Sequence, residues 1–199
     1  MSSVNISGQE YSGLKSGDLI FVKEGSSDFS KAITESTAYE DSVKFIHVGI
    51  IEITPESEYM IIEASPEEGV RIISLDKFLQ QTQKKGDHKG VVIKRLNIDF
   101  PIAETLEKAK SYLGEPYDWW YLPDNGKMYC SELVYEAYRY ENGERIFHSF
   151  PMNFRAPDGT MPEFWVKLYE QLGERVPEGV LGTNPNALSK EDVLIEISF

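Results

Sequence analysis

The sequence predicts an α+β fold, on three observations. Short runs rich in β-branched residues dominate residues 16–96, and from residue 102 on helical spacing of apolar residues takes over. The early runs also lie too close together for the crossovers that parallel pairing requires, so they should form an antiparallel sheet or small barrel packed against helices from the second half.

Taken in order, a turn at Ser16, Gly17 and Asp18 opens the first strand, in SGDLIFV (16–22). A polar segment, 25–42, carries a weak helical stretch at 29–36. KFIHVGIIEI (44–53) is the second strand, ended by Thr54-Pro55, and YMIIEAS (59–65) is the third. A turn at 66–69 leads into VRIISL (70–75), after which Asp76 is placed to cap a helix, DKFLQQTQKK. GVVIKRL (90–96) is another strand.

In the second half, apolar residues at 102, 103, 106, 109 and 113 predict a helix with Gly114 as its C-terminal cap. An aromatic loop, EPYDWWYLPDNGKM, precedes a second helix over 131–140. Residues 150–159 read as loop, and 162–172 as a third helix. The turn-rich tail ends in a strand, VLIEISF. The expected organisation is one domain over 1–199, with a core of about 14–172 and the tail packed on it.

Composition narrows the function classes. Hydrophobic residues make up 41% of 199, enough for one sizeable core, and the net charge is −13. Such a surface repels phosphate backbones and anionic lipid, so neither nucleic acid nor a membrane is an expected partner, and a small peptide or amine-bearing substrate suits it better. The single cysteine excludes an intramolecular disulfide and any zinc site built from several thiolates. The opening MSSVNISGQEYSG lacks the basic stretch and apolar core of a secretory signal, so a cytoplasmic location is expected, or an external one if a leader has been removed.

Four residues carry the candidate chemistry. Cys130 directly precedes a helix, whose positive end favours thiolate, the form that attacks carbonyls. On position alone a packed, inert core thiol is the stronger reading, and partners are needed to make it a nucleophile. His47 lies within an apolar strand, on one face with Phe45, Gly49 and Ile51, and must there be hydrogen-bonded or active. Gly49 removes a side chain beside the imidazole. If strands two and three form a hairpin centred near residue 55, Glu63 falls opposite His47 and can fix its tautomer; a one-residue slip would turn it outward. Tyr117 can donate a hydrogen bond to an oxyanion beside the Cys130 backbone N–H, or simply pack; Trp119, Trp120 and Tyr121 read as packing or pocket wall. His88 and His148 read as surface residues.

GDLIF, HVGII, IIEAS, GEPYDWW and YCSELVYEAY together resemble the NlpC superfamily of papain-like cysteine peptidases. The order His47, Glu63, Cys130 is that of its circularly permuted YiiX/YebB-like branch, as is the tail motif GTNPNALS. The resemblance covers residues 16 to about 140. It implies a permuted papain-like fold with Cys130 as nucleophile, His47 as base, Glu63 as orienting residue and Tyr117 as the tyrosine upstream of the cysteine. No metal is expected at the site, since one cysteine and one histidine do not make a closed zinc site, and no cofactor is expected. The expected activity is hydrolysis of an amide or isopeptide bond. The same triad could instead serve an acyltransferase or lipid thioesterase, and the groove alone could serve a peptide-binding module.

Overall fold

The computed structural model describes residues 11–37, 43–83 and 90–198. Its centre is a six-stranded sheet, all of whose pairs are antiparallel. The strands are β1 (Leu19–Lys23), β2 (Phe45–Ile53), β3 (Tyr59–Ser65), β4 (Gly69–Ser74), β5 (Val91–Leu96) and, from the tail, β8 (Leu194–Ile197). Their spatial order is β4-β3-β2-β1-β5-β8, so the sheet is open between edges β4 and β8 rather than closed into a barrel. A separate two-stranded ribbon pairs β6 (Phe150–Pro151) with β7 (Leu181–Gly182).

The near-continuous apolar runs have a direct cause: both sheet faces are covered. One face, with Leu19, Phe21, Val48, Ile50 and Ile62, packs on α3 (Ile102–Lys110) and α4 (Cys130–Ala137). The other, with Ile20, Ile51, Ile61 and Ile93, packs on α2 (Leu75–Gln83) and on Tyr11 and Leu14. Three further helices, α1 (Asp28–Thr37), α5 (Glu163–Leu172) and α6 (Pro185–Leu188), complete the elements. No described helix is long and apolar enough to cross a membrane.

Several local expectations shift. Asp76 lies inside α2 and receives a hydrogen bond from the Tyr11 hydroxyl; the cap oxygen is that of Ser74, which accepts from the Lys77 N–H. Helix α3 stops at Lys110, and Gly114 instead docks on β4, its N–H donating to Val70 O at 2.9 Å. The stretch expected as loop from 150 supplies β6, too short to show a period. Gly49 makes room for β3: a Cβ there would stand 2.7 Å from Ile61. Phe45 leaves the expected face and joins the α4 side, because β2 slips against β1 between Val22 and Lys23.

The tail fixes the site's framework. Asn186, 1% exposed, accepts from the Phe45 N–H at 2.7 Å and donates to Phe45 O at 2.8 Å, pairing with both backbone groups at the slipped end of β2. Asn184 caps α6, accepting from the Ala187 N–H at 2.8 Å, and so orients Asn186. The Thr183 N–H donates to the Tyr129 hydroxyl, immediately before Cys130.

Gly69 couples the β3–β4 turn to the loop that carries Tyr117. Its φ is +71°, and a Cβ there would lie 2.2 Å from Glu115 O, the atom that accepts from the Val70 N–H. Gly69→Ala should therefore destabilise the fold by about 2–4 kcal/mol, combining left-handed backbone strain with overpacking. Chemical denaturation should show a lower midpoint, whereas Gly159→Ala, with nothing within 4 Å of its added Cβ, should lose only the backbone part.

Candidate active site

The β2–β3 ladder pairs Ile53 with Tyr59 and ends at Ile50 with Ile62. The hairpin is thus centred near residue 56 rather than 55. Extending the register places Gly49 beside Glu63 and His47 one diagonal step away. A two-residue displacement preserves the face, so the side chains still meet. Glu63 Oε2 lies 2.6 Å from His47 Nε2.

Cys130 is the first residue of α4, with Tyr129 as its N-cap, so its backbone N–H is one of the first-turn donors the helix cannot satisfy. The imidazole hydrogen-bonds Glu63, and the Cys130 side chain is near enough to act on it electrostatically. With Nε2 taken by Glu63, Nδ1 is the ring nitrogen left for the thiol. Phe78 of α2 stacks over the ring, centroids 6.1 Å apart, and leaves the His47 side chain 16% exposed. Burial alone would push the imidazole down; Cys130 and then Glu63 outweigh it and raise its pKa from 6.5 to about 10. These partners therefore favour the charged imidazole.

Glu63 is 3% exposed. Burial alone would raise its pKa, but His47 and then Arg71 outweigh that and hold the carboxyl below its ordinary value. Arg71 stands directly across the β3–β4 ladder and places Nε and a terminal nitrogen 2.9 and 2.6 Å from Glu63 Oε1. Glu132, near the N-terminus of α4, is pushed up to about 8 by burial and then by the Asp118 charge. It thus carries little negative charge near neutral pH to oppose a thiolate.

Tyr117 is buried, its hydroxyl 3.5 Å from that of Tyr121. Burial, the Tyr121 hydroxyl and Cys130 hold its phenol well above the usual range, so it stays a proton donor. Asp118, fully buried, shapes this loop by accepting from the Trp120 and Leu122 N–H groups, and Tyr121 adopts φ +52° there.

Two concavities adjoin at Ile46 and Tyr117. One is a cleft of about 610 Å³ containing His47, Glu63, Arg71, Phe78 and Trp119, with Glu67 and Glu68 also on its wall. The other is a narrow cavity of about 50 Å³ beside Cys130, walled by Tyr121, Met152 and Trp165.

All four sequence-predicted site residues thus converge on one place, with Trp119 and Tyr121 lining its walls. His148 is exposed and pairs with Glu191 at 2.9 Å, away from these linings; His88 lies outside the described residues. Sequence reasoning missed Arg71 and Phe78. The signal for Arg71 was the turn at 66–69, which sets it opposite Glu63 as a cross-strand charge pair. Among the described residues, no group of three or more His, Cys, Asp and Glu side chains stands together to hold a metal ion.

Comparison with known proteins places the chain in a family. The family described as permuted papain-like amidase enzyme, YaeF/YiiX, C92 family, matches residues 13–198. The uncharacterized protein YiiX of Escherichia coli K12 is 27% identical over 177 residues, covering 87% of this chain and 81% of that protein. Protein OPG091 of monkeypox virus is 30% identical over 133 residues, 62% of this chain and 70% of its own length. The crystal structure of metalloprotein YiiX from Escherichia coli O157:H7 shares the fold, with a TM-score of 0.73, 24% identity, and coverage of 94% of this chain and 97% of that one. With nearly its whole length inside the family match and its sheet and helices arranged as in that neighbour, the chain belongs to the C92 family of permuted papain-like amidases, cysteine hydrolases of amide bonds.

Proposed function

We propose that this amidase cleaves the amide or isopeptide bond of a small peptide or other amine-bearing substrate through Cys130, His47, Glu63 and Tyr117. The observation that carries the reading is the His47 imidazole held by the Glu63 carboxylate at 2.6 Å, with the Cys130 side chain near enough to act on it. The cleft beside it supports an amine-bearing group, since its three carboxylates, Glu63, Glu67 and Glu68, outnumber its two cationic groups, the Arg71 guanidinium and the His47 imidazole.

The reaction then runs in two halves. The Cys130 thiolate attacks the carbonyl carbon, and the electron pair of the C=O bond moves to oxygen. The Cys130 backbone N–H and the Tyr117 hydroxyl hydrogen-bond that oxyanion. As the C–N bond breaks, His47 gives its Nδ1 proton to the leaving amine, and a thioester remains on Cys130. Neutral His47 next takes a proton from water, whose oxygen attacks the thioester. The acid departs and the thiolate–imidazolium pair returns. Throughout, Glu63 accepts from Nε2–H, fixing the tautomer and favouring the imidazolium.

The narrow cavity favours a second reading for the acyl half. Its apolar walls adjoin Cys130, so a slim apolar acyl group fits beside the sulfur, and an amine or alcohol acceptor could replace water in the second half. Product analysis by mass spectrometry, with and without added acceptor, separates hydrolysis from transfer.

A screen of peptides, γ-linked peptides and acyl esters supplies a substrate for the decisive variants. Cys130→Ser should retain the fold yet lower turnover by at least about 10³-fold, and His47→Ala should be nearly as damaging because the residues act as a unit. Glu63→Gln should be milder, keeping an acceptor oxygen but losing charge. Tyr117→Phe should lower kcat by about 10²-fold with little change in KM if its hydroxyl serves only the transition state. Full activity in Cys130→Ser would refute the assignment.

The pH dependence has a definite sign. His47 is the proton donor to the leaving amine, and its proton is lost as pH rises through about 10, so turnover should fall along an alkaline limb approaching that value. Cys130→Ser removes the neighbouring thiolate and should lower the His47 pKa, measurable by NMR titration of the imidazole.

A further inference from the structure

Resting on the reading of Glu63 as the residue that orients His47, we propose that Arg71 is a positioning residue of this site: by binding one oxygen of Glu63 it holds the carboxylate ionised and turns the other oxygen to His47.

The geometry divides Glu63 cleanly. Oε1 receives Arg71 Nε at 2.9 Å and an Arg71 terminal nitrogen at 2.6 Å, while Oε2 faces His47 Nε2 at 2.6 Å. Each oxygen has its own charged partner, so rotation of the carboxyl would break both sets of bonds. Arg71 is itself clamped. The same terminal nitrogen donates to Gln81 Oε1 at 3.0 Å, and the other terminal nitrogen pairs with Glu68. Its side chain is 17% exposed. With its donors turned toward these three partners, the guanidinium is committed to Glu63 and the cleft wall rather than presented to a substrate. The backbone supports the arrangement, because Glu63 and Arg71 are register partners in the β3–β4 ladder and need no long-range loop to meet.

Charge supplies the reason such a partner is needed. A buried carboxylate tends to protonate, and a protonated Glu63 would no longer offer a full charge to the imidazolium. The charged and titratable groups around the pair come from several elements. His47 approaches from β2 and Arg71 from β4; Glu67 and Glu68 belong to the turn between β3 and β4; Cys130 of α4 reaches the pair through the imidazole; Tyr117 lines the cleft. From α2 the cleft receives Phe78, Gln81 and Thr82, all uncharged. Arg71 is therefore the only permanent cation of the cleft wall among the described residues, and its loss should let Glu63 take a proton at a higher pH. The direction agrees with the depressed Glu63 carboxyl, to which Arg71 contributes after His47.

The test reads the Glu63–His47 hydrogen bond itself, through the downfield Nε2–H proton resonance of His47 followed by NMR as pH falls. In the wild-type protein the signal should persist into the acid range. In Arg71→Met it should weaken at a pH higher by at least about one unit, the usual size of an opposite-charge effect on a carboxyl. Arg71→Lys keeps the charge with a less directional donor and should fall between the two; it carries the same comparison should Arg71→Met fail to fold. In a Glu63→Gln background, Arg71→Lys should leave the His47 signal unchanged, because its effect is routed through Glu63. An identical pH response in wild type and both Arg71 variants would overturn the proposal. Failure of the underlying reading looks different: no such resonance in the wild-type protein, together with iodoacetamide labelling of Cys130 that His47→Ala does not slow.

Discussion

A buried carboxylate shared between two cations holds the site together. Glu63 is taken from water almost completely, a costly state for an ionised group unless its oxygens are satisfied. Arg71 satisfies Oε1 and His47 satisfies Oε2. Removing either partner from a buried pair of this kind typically costs on the order of 3–5 kcal/mol, because the remaining charge is stranded. That constraint fixes the orientation of the imidazole, and the Cys130 side chain is among the groups that act on it.

The rest of the fold meets this carboxylate from two sides. Cys130 comes from the helix layer on one face of the sheet, and Phe78 from the helix on the other, with His47 beyond the last β2–β3 pair where they can meet. The tail then ties Cys130 and His47 to one frame. Asn186 grips the backbone of Phe45, just before His47, and the Thr183 N–H binds Tyr129, just before Cys130. A helix N-terminus, a strand end and a distant tail are thus linked by hydrogen bonds. Catalysis by nucleophile and base demands such coupling, since small displacements lose reactive geometry.

Much of this was legible in the sequence for specific reasons. Cys130 was marked by the helical pattern that follows it, and His47 by its place in an apolar strand. Glu63 was reached through the hairpin, although the centre lay one residue further on. Because side chains alternate with period two, the resulting two-residue displacement did not turn it away. Arg71 was passed over because a single cation in a strand reads as solvent-facing, and its meaning depends on the register of a second hairpin. Asn186 lies 141 residues from Phe45, and no local pattern reports a contact of that separation. The two-residue strands β6 and β7 were illegible for a different reason, being shorter than one period of alternation.

The central claim is that Cys130 is the nucleophile and that His47 activates it. The most direct measurement is the rate at which iodoacetamide alkylates Cys130 near neutral pH, read by mass spectrometry in the wild-type protein and in His47→Ala, since Cys130 is the single cysteine. The account predicts rapid alkylation that His47→Ala slows. Slow alkylation that His47→Ala leaves unchanged would contradict it.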